Sequence, residues 1–373
     1  MKVLLLSDTY SEHTEKWALG LAQRGVEIGL FSFNKASYDW YSHENITVFY
    51  EPENKINAES MVTKLAYLKY VGILKKIIKH FKPDVLHAHY ATSYGLVGAL
   101  CNFHPFVISS WGTDVMKFPN KNFVAKSLLK YNFKKADALC ATSQTIKDCI
   151  QDIIQKEVSI IPFGIDLNQF CPTPVQSLFE DEDFVIGSIK PLETIYNIDV
   201  LIRSFANLHK KYRFLKLLIV GEGSEEAKLK LLVEEQQLSK SVVFTGRIPF
   251  ADVNRYYNML DVLVNISEYE SFGVSVAEAM ACGKPVVVTN VGGLNEIVKD
   301  NSVGLKVEVR NMEQTSEAIE LLISDEKTYH EISANARKHI SEHYNWKNNL
   351  DQMMAIYTDL IAKKGKEIDL KAN

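Results

Sequence analysis

The sequence predicts an α/β protein built from two successive Rossmann-like domains. Three observations carry that expectation. Short apolar runs alternate with amphipathic helical segments, which is the pattern of a parallel sheet with helices on its faces. The alternation breaks once, at residues 166–183, where Pro172, Pro174 and the acidic run Glu180–Asp183 read as a linker. It then starts again. The charge divides at the same place: residues 1–165 carry 19 Lys/Arg against 15 Asp/Glu, and residues 166–373 carry 23 against 31.

In the first domain, 1–165, a strand is expected over Val3–Ser7 and a helix over His13–Arg24, closed near Gly25. Glu27–Phe33 completes a strand–helix–strand unit. Further strands are read at Asp84–Ala88, Phe106–Ser110, Ala138–Ser143 and Val158–Pro162. In the second, 184–345, strands are read at Phe184–Ile189, Leu215–Val220, Val242–Thr245, Asp261–Ile266 and Pro285–Thr289. Its helices are read at Asp199–Tyr212, Glu225–Gln237, Phe250–Leu260 and Val274–Cys282, and the tail is helical from Met312. Ligands of such sheets bind beyond the carboxyl ends of the strands, so the expected site lies in a cleft there.

Composition narrows the function. The chain has 373 residues, 46% hydrophobic and 24% charged, which is globular rather than disordered. A net charge of −4 gives no basic footprint, so no nucleic acid is expected as partner. Five scattered cysteines without CxxC spacing argue against a disulfide framework or a zinc site and fit a reducing, cytoplasmic location. The apolar run at Met1–Asp8 is too short for a signal peptide, and no uncharged stretch of about 18 residues predicts a membrane span. Asp181-Glu182-Asp183 looks like a metal-binding DxD but sits in the acidic linker, and no metal is expected. Gly221-Glu222-Gly223 lacks the third glycine of a dinucleotide fingerprint.

The most informative stretch is Glu268–Glu296. Glu270 and Glu278 stand eight residues apart around Phe272-Gly273, among small and apolar neighbours. On a helix that spacing spans about 12 Å. A glycosidase carboxyl pair is roughly 5–9.5 Å apart, so two contacts to polyol hydroxyls fit better than one hydrolytic pair. Free N–H groups where the loop enters the Val274 helix would suit a phosphate.

Glu270-Ser271-Phe272-Gly273 through Glu278-Ala279, with Gly283-Lys284-Pro285 and Gly292-Gly293-Leu294-Asn295-Glu296, resembles the E-x7-E signature of retaining glycosyltransferases of family four. Pro83–His89, Trp111–Asp114, Ile161–Asp166 and Val220–Gly223 extend the resemblance along most of the chain. It implies the GT-B fold: two Rossmann-like domains facing across a cleft, with C-terminal helices crossing back and residues 346–373 packing on the first domain. It implies a nucleotide-sugar donor, UDP- or GDP-linked, as substrate with no cofactor, and a glycan or polyprenyl-linked acceptor. Glu278 would hold the ribose and Glu270 the donor sugar, while the backbone of Phe272, Gly273 and Val274 would line the diphosphate, with Gly221 among the donor-side residues. Lys190, at the end of a strand, would meet the diphosphate charge. The family's second lysine falls on Ile195 and its glycine before the helix on Asn197, which makes Arg247 a candidate substitute or base-side contact. The family's histidine before Gly-x-Asp is Trp111 here, so its role does not carry over. His13 would face the donor or acceptor, Thr14 would cap the first helix, and Asp114 would either bind an acceptor hydroxyl or cap the chain. Of His87 and His89, read as facing opposite sides of a strand, one at most would reach the site.

The expected activity is therefore retaining sugar transfer in cell-surface polysaccharide, glycolipid or glycoprotein glycan synthesis. The alternatives are another GT-B reaction such as nucleotide-sugar epimerisation, or a weakly catalytic sugar-nucleotide-binding partner. Lys64–Lys82 and Lys117–Lys135 are lysine-rich, which adds a membrane surface to the candidate partners and the inner face of the cytoplasmic membrane to the candidate locations.

Overall fold

The computed structural model describes residues 1–36, 38–50 and 67–372, and the side chains of all of these except 68 and 367–372. Lys64 therefore lies outside the described residues. The chain divides into two compact units, Met1–Phe163 with Asn348–Asn373, and Gly164–Lys347.

The first unit holds the strands β1 (Lys2–Leu6), β2 (Glu27–Phe31), β3 (Ile46–Tyr50), β4 (Val85–His89), β5 (Phe106–Ser110), β6 (Ala138–Ala141) and β7 (Val158–Ile160). Among the described residues they form one parallel sheet in the order β3-β2-β1-β4-β5-β6-β7. Val3, Leu4, Leu5 and Leu6 are fully buried, as both faces of the sheet are covered by helices. These are α1 (Glu12–Ala22), α2 (Leu68–Phe81), α3 (Ser93–Cys101), the short α4 (Thr113–Met116), α5 (Phe123–Lys135) and α6 (Gln144–Gln151). Asn122 and Ser143 cap α5 and α6 by accepting from the amides of Ala125 and Ile146, at 2.9 and 3.2 Å.

The second unit repeats the plan with β8 (Phe184–Ile189), β9 (Leu215–Val220), β10 (Val242–Gly246), β11 (Val262–Asn265), β12 (Val286–Thr289) and β13 (Leu305–Val307). Their order is β10-β9-β8-β11-β12-β13, again parallel. The helices are α7 (Ile198–Lys211), α8 (Glu226–Glu235), α9 (Val253–Met259), α10 (Val274–Ala281), α11 (Gly292–Ile297), α12 (Met312–Ser324) and α13 (Glu326–His343). A last helix, α14 (Trp346–Ala372), belongs to the first unit from Asn348 onward. Its Leu350, Met353 and Tyr357 are buried there at helical spacing. Asn349 donates to the Pro162 carbonyl, and Asp351 pairs with Arg24 at 2.9 Å.

Both sheets start in the middle and grow outward in two directions. Each thus has a switch point where strand order reverses, between β1 and β4 and between β8 and β11. Beyond the carboxyl ends of those strands neighbouring loops diverge and leave room for a ligand.

Three local expectations are corrected. The α1 N-cap position is Ser11 rather than Thr14. Thr14 is instead buried, with its hydroxyl 2.6 Å from that of Ser7. His87 and His89 share one face of β4, because residues two apart in a strand point the same way; their rings meet edge-to-face at 4.5 Å. The edge strands β3 and β13 were not anticipated. β3 is largely half-exposed along its length and β13 has three residues, so neither shows a continuous apolar run.

Candidate functional site

At the switch point of the second unit, Lys190 follows β8 and the loop after β11 carries Glu270. The Lys190 ammonium donates to Glu270 Oε2, and both side chains are mostly buried. The same ammonium lies 5.1 Å from the centre of the Tyr196 ring, a cation–π arrangement. An ammonium has three donors, so the pair fixes Lys190 without exhausting it.

Glycines set this geometry by letting backbone approach backbone. Gly221 has φ +142°, and a Cβ there would stand 2.0 Å from the Lys190 carbonyl oxygen. That gives Gly221 a packing role behind Lys190. Gly292 and Gly293 lie against the Glu270 loop in the same way. A Cβ on Gly292 would be 2.2 Å from the Glu270 carbonyl oxygen, and the Gly293 amide donates to that oxygen at 2.9 Å. The Gly292-Gly293 part of the motif thus positions Glu270.

Gly273, at φ +103°, is the N-cap residue of α10, and the buried Phe272 precedes it. The first amides of a helix have no intrahelical acceptor, so Gly273 and Val274 present N–H groups at the helix entrance. Ser275 Oγ, in the first turn, is buried without a hydrogen-bond partner among the described residues, as is Asn265 Nδ2 at the end of β11. Glu278 is 6% exposed and accepts from the Tyr257 hydroxyl at 2.7 Å. That contact from α9 fixes its rotamer, and a carboxylate has acceptor capacity beyond one such bond. Nothing local in the sequence marks Tyr257 or Tyr196.

The second cation is where the chain is unusual. Asn197, standing where the resemblance expects glycine, has φ +52°, a left-handed conformation that asparagine tolerates. Arg310, on the loop after β13, bonds Asn197 Oδ1 at 3.0 Å and pairs with Glu268 at 3.3 Å and Asp199 at 3.6 Å. Two carboxylates thus offset its charge. Arg247 sits on the loop after β10, two strands from β8, with an exposed guanidinium 3.9 Å from Glu222. Of these three cations, Lys190 is the one that directly follows the switch-point strand β8.

In the first unit, His89 Nδ1 lies 2.9 Å from Ser7 Oγ, bridging β4 and β1 at their carboxyl ends. His13 stacks on Phe163 with ring centroids 4.0 Å apart and meets the edge of Trp111 at 5.7 Å. Burial, then the nearby Lys16 charge, lowers its pKa to about 4. Asp114 is fully buried, and its contacts in the structure are those of the structural cap. Its Oδ1 accepts from the Gly112 and Trp111 amides at 2.9 and 3.2 Å, and its Oδ2 from Ala91 at 2.8 Å. Burial still pushes its carboxyl above the usual range, against those amides. The carboxylate ties the loop before α4 to the end of β4.

His87 and His89 make the first unit acid-sensitive. Burial lowers His87 to about 3. Burial, with the adjacent His87 and His13, takes His89 well below its usual value. Folded pKa values below the unfolded value of about 6.5 mean that the unfolded chain binds protons first. Stability is then full above about pH 6.5 and is lost as pH falls toward the folded values. At about pH 5.5 proton uptake by the unfolded chain costs roughly 1 kcal/mol at His87, and His89 adds in the same direction. Urea denaturation should show the unit weaker at pH 5.5 than at 7.5 by more than about 1 kcal/mol, with His13, also lowered by burial, adding to the effect, and replacing His89 by Gln should shrink the difference. Equal midpoints at the two pH values would contradict the buried neutral pair.

Residues 2–143 match the family described as glycosyl transferase 4-like, and residues 173–339 match glycosyl transferases group 1. N-acetyl-α-D-glucosaminyl L-malate synthase of Bacillus anthracis is 25% identical over 373 residues, covering 93% of each chain. Among solved structures, sucrose-phosphate synthase of Thermosynechococcus elongatus superposes with a TM-score of 0.82 at 20% identity, over 97% of this chain and 100% of that one. Anabaena HepE, in complex with UDP and glucose, gives 0.77 at 19% identity, over 96% and 100%. The two matched segments take in most of the sequence and the neighbours share its pair of parallel sheets, so the chain belongs to the GT4-like, group 1 superfamily of glycosyltransferases with the GT-B fold.

Proposed function

We propose that the protein transfers a sugar, with retained anomeric configuration, from a UDP- or GDP-sugar to a glycan or polyprenyl-linked acceptor in the synthesis of a surface glycan or glycolipid on the cytoplasmic side. The observation that carries this reading is the Lys190–Glu270 pair at the switch point of the second sheet, with Glu278 oriented by Tyr257 nearby in sequence. HepE holding UDP and glucose, and a relative named for an α-glucosaminyl product, support the donor class and the retained configuration. Lys190 and the α10 entrance offset the charge that develops on the departing diphosphate. Glu270 orients sugar hydroxyls and Glu278 the ribose, since ionised carboxylates accept from several hydroxyls. No metal is assigned a role. The leaving diphosphate takes the acceptor proton as the new bond forms on the same face. His13, neutral near pH 7, serves by hydrogen bonding and stacking, because a group with a pKa of about 4 is a poor proton acceptor there.

Calorimetry with a panel of UDP- and GDP-sugars tests the reading. One donor should bind, and replacing Glu278 by Ala should weaken it by roughly 10–100-fold, the loss of about one charge-assisted hydrogen bond or slightly more. No binding across the panel, or unchanged affinity in the variant, would refute the assignment. The offset charge of Arg310 and the Ile195 position favour one second reading, a sugar-nucleotide-binding protein with weak turnover. Binding without transfer across an acceptor panel would select it.

A further inference from the structure

The lysine-rich character of the first unit turns out to have a specific face. Helix α2 is ordinary: Tyr70, Leu74, Ile77 and Phe81 pack into the core, and Lys69, Lys75, Lys76 and Lys79 face outward. Helix α5 is different. It buries Ala125, Leu129 and Phe133, yet Phe123 is 84% exposed and Val124 52%. Tyr131, two turns from Phe123 on the same side, is exposed as well. Exposed Lys126, Lys130 and Lys134 run beside them at four-residue spacing, with Lys121 just before the helix. Helices α2 and α5 both pack on α3, so their lysines belong to one layer on the same side of the sheet.

Among the described residues, acidic groups are few along this stretch. From residue 67 to 136 only Asp84 and Asp114 occur, and the next one, Asp137, is paired with His104 at 2.8 Å. Asp114 is buried under backbone amides, and Asp84 accepts from the Lys2 amide at 2.7 Å. Among the described residues, no carboxylate is in ion-pair reach of Lys126, Lys130 or Lys134. An uncovered Phe-Val tip costs solubility unless something covers it. A tip that is apolar, flanked by cations and lacking anions is complementary to the boundary of an anionic bilayer. There, aromatic and aliphatic side chains enter the acyl edge and lysines meet lipid phosphates.

We propose that α5 is a peripheral membrane-docking helix. Phe123 and Val124 insert into the headgroup boundary, and Lys121, Lys126, Lys130 and Lys134 bind anionic lipid phosphates, with the α2 lysines adding long-range attraction. This deepens the reading of a lipid-linked acceptor, but docking itself needs neither donor nor turnover.

The test is sedimentation of the full chain with phosphatidylcholine vesicles, with and without phosphatidylglycerol. Binding is expected only to the anionic vesicles, and high salt should reduce it. Phe123→Ser with Val124→Ser, and separately Lys126→Ala with Lys130→Ala and Lys134→Ala, should each weaken partitioning by roughly tenfold or more. Each variant should keep the wild-type Tm and donor affinity, since all five side chains are exposed. Lys228→Ala with Lys230→Ala, on the second unit, is the control and should change nothing. Absence of binding to anionic vesicles, equal binding by the α5 variants, or retention by nucleic acid instead would overturn the proposal. None of these outcomes bears on whether a nucleotide-sugar binds in calorimetry.

Discussion

Replacing Lys190 by Ala should lower kcat for sugar transfer by about 10²–10³, the effect of removing one preorganised donor aimed at developing charge. The expectation is large because none of the candidate substitutes among the described residues stands in for it. The neighbouring loop offers Ile195, Arg310 is offset by Glu268 and Asp199, and Arg247 stands two strands away. The loss should fall on kcat more than on KM, because charge on the diphosphate grows toward the transition state. Lys190→Arg should recover part of it, since the charge returns on a different shape. Steady-state kinetics decide the matter: activity within about threefold of the parent would remove Lys190 from the mechanism.

Asp114→Ala should destabilise the first unit by about 3–5 kcal/mol. The substitution leaves the amides of Ala91, Trp111 and Gly112 without their acceptor. Each bond to a charged group is worth about 1.5–3 kcal/mol, and neighbouring losses add incompletely. On a unit of this size the fall in Tm should be about 10 °C or more. Asp114→Asn keeps one acceptor oxygen and should be intermediate in denaturant unfolding, with transfer activity largely retained where the protein is folded. A stable but inactive Asn variant would select the acceptor-contact alternative for Asp114.

These two residues show where sequence is readable. The run Phe184–Ile189 followed by Lys190 could be read directly, because a buried parallel strand is continuously apolar and its end is where ligands bind. Asp114 could not be, since a carboxylate bound to three amides and one bound to a substrate hydroxyl look identical as a letter. The signature Glu270 through Gly293 was legible as a pattern, but the work of Gly292-Gly293, pressing on the Glu270 carbonyl, appears only in three dimensions. Tyr257 and Arg310 reach their partners from 21 and more residues away, a separation at which no local periodicity carries a signal. The edge strands β3 and β13 escaped for the opposite reason: they have too little burial to leave a pattern.

The hydrogen bond of 2.6 Å between the Tyr357 hydroxyl and His87 Nδ1 has a consequence for biosynthesis. His87 also lies 2.8 Å from Ser109 Oγ, so the last helix closes a polar chain that begins in the middle of the first sheet. A ribosome delivers the whole of Gly164–Lys347 before it delivers Tyr357. The first unit is thus completed only after the second has been synthesised, and until Tyr357 emerges the nascent chain carries an uncovered sheet face that a chaperone can recognise.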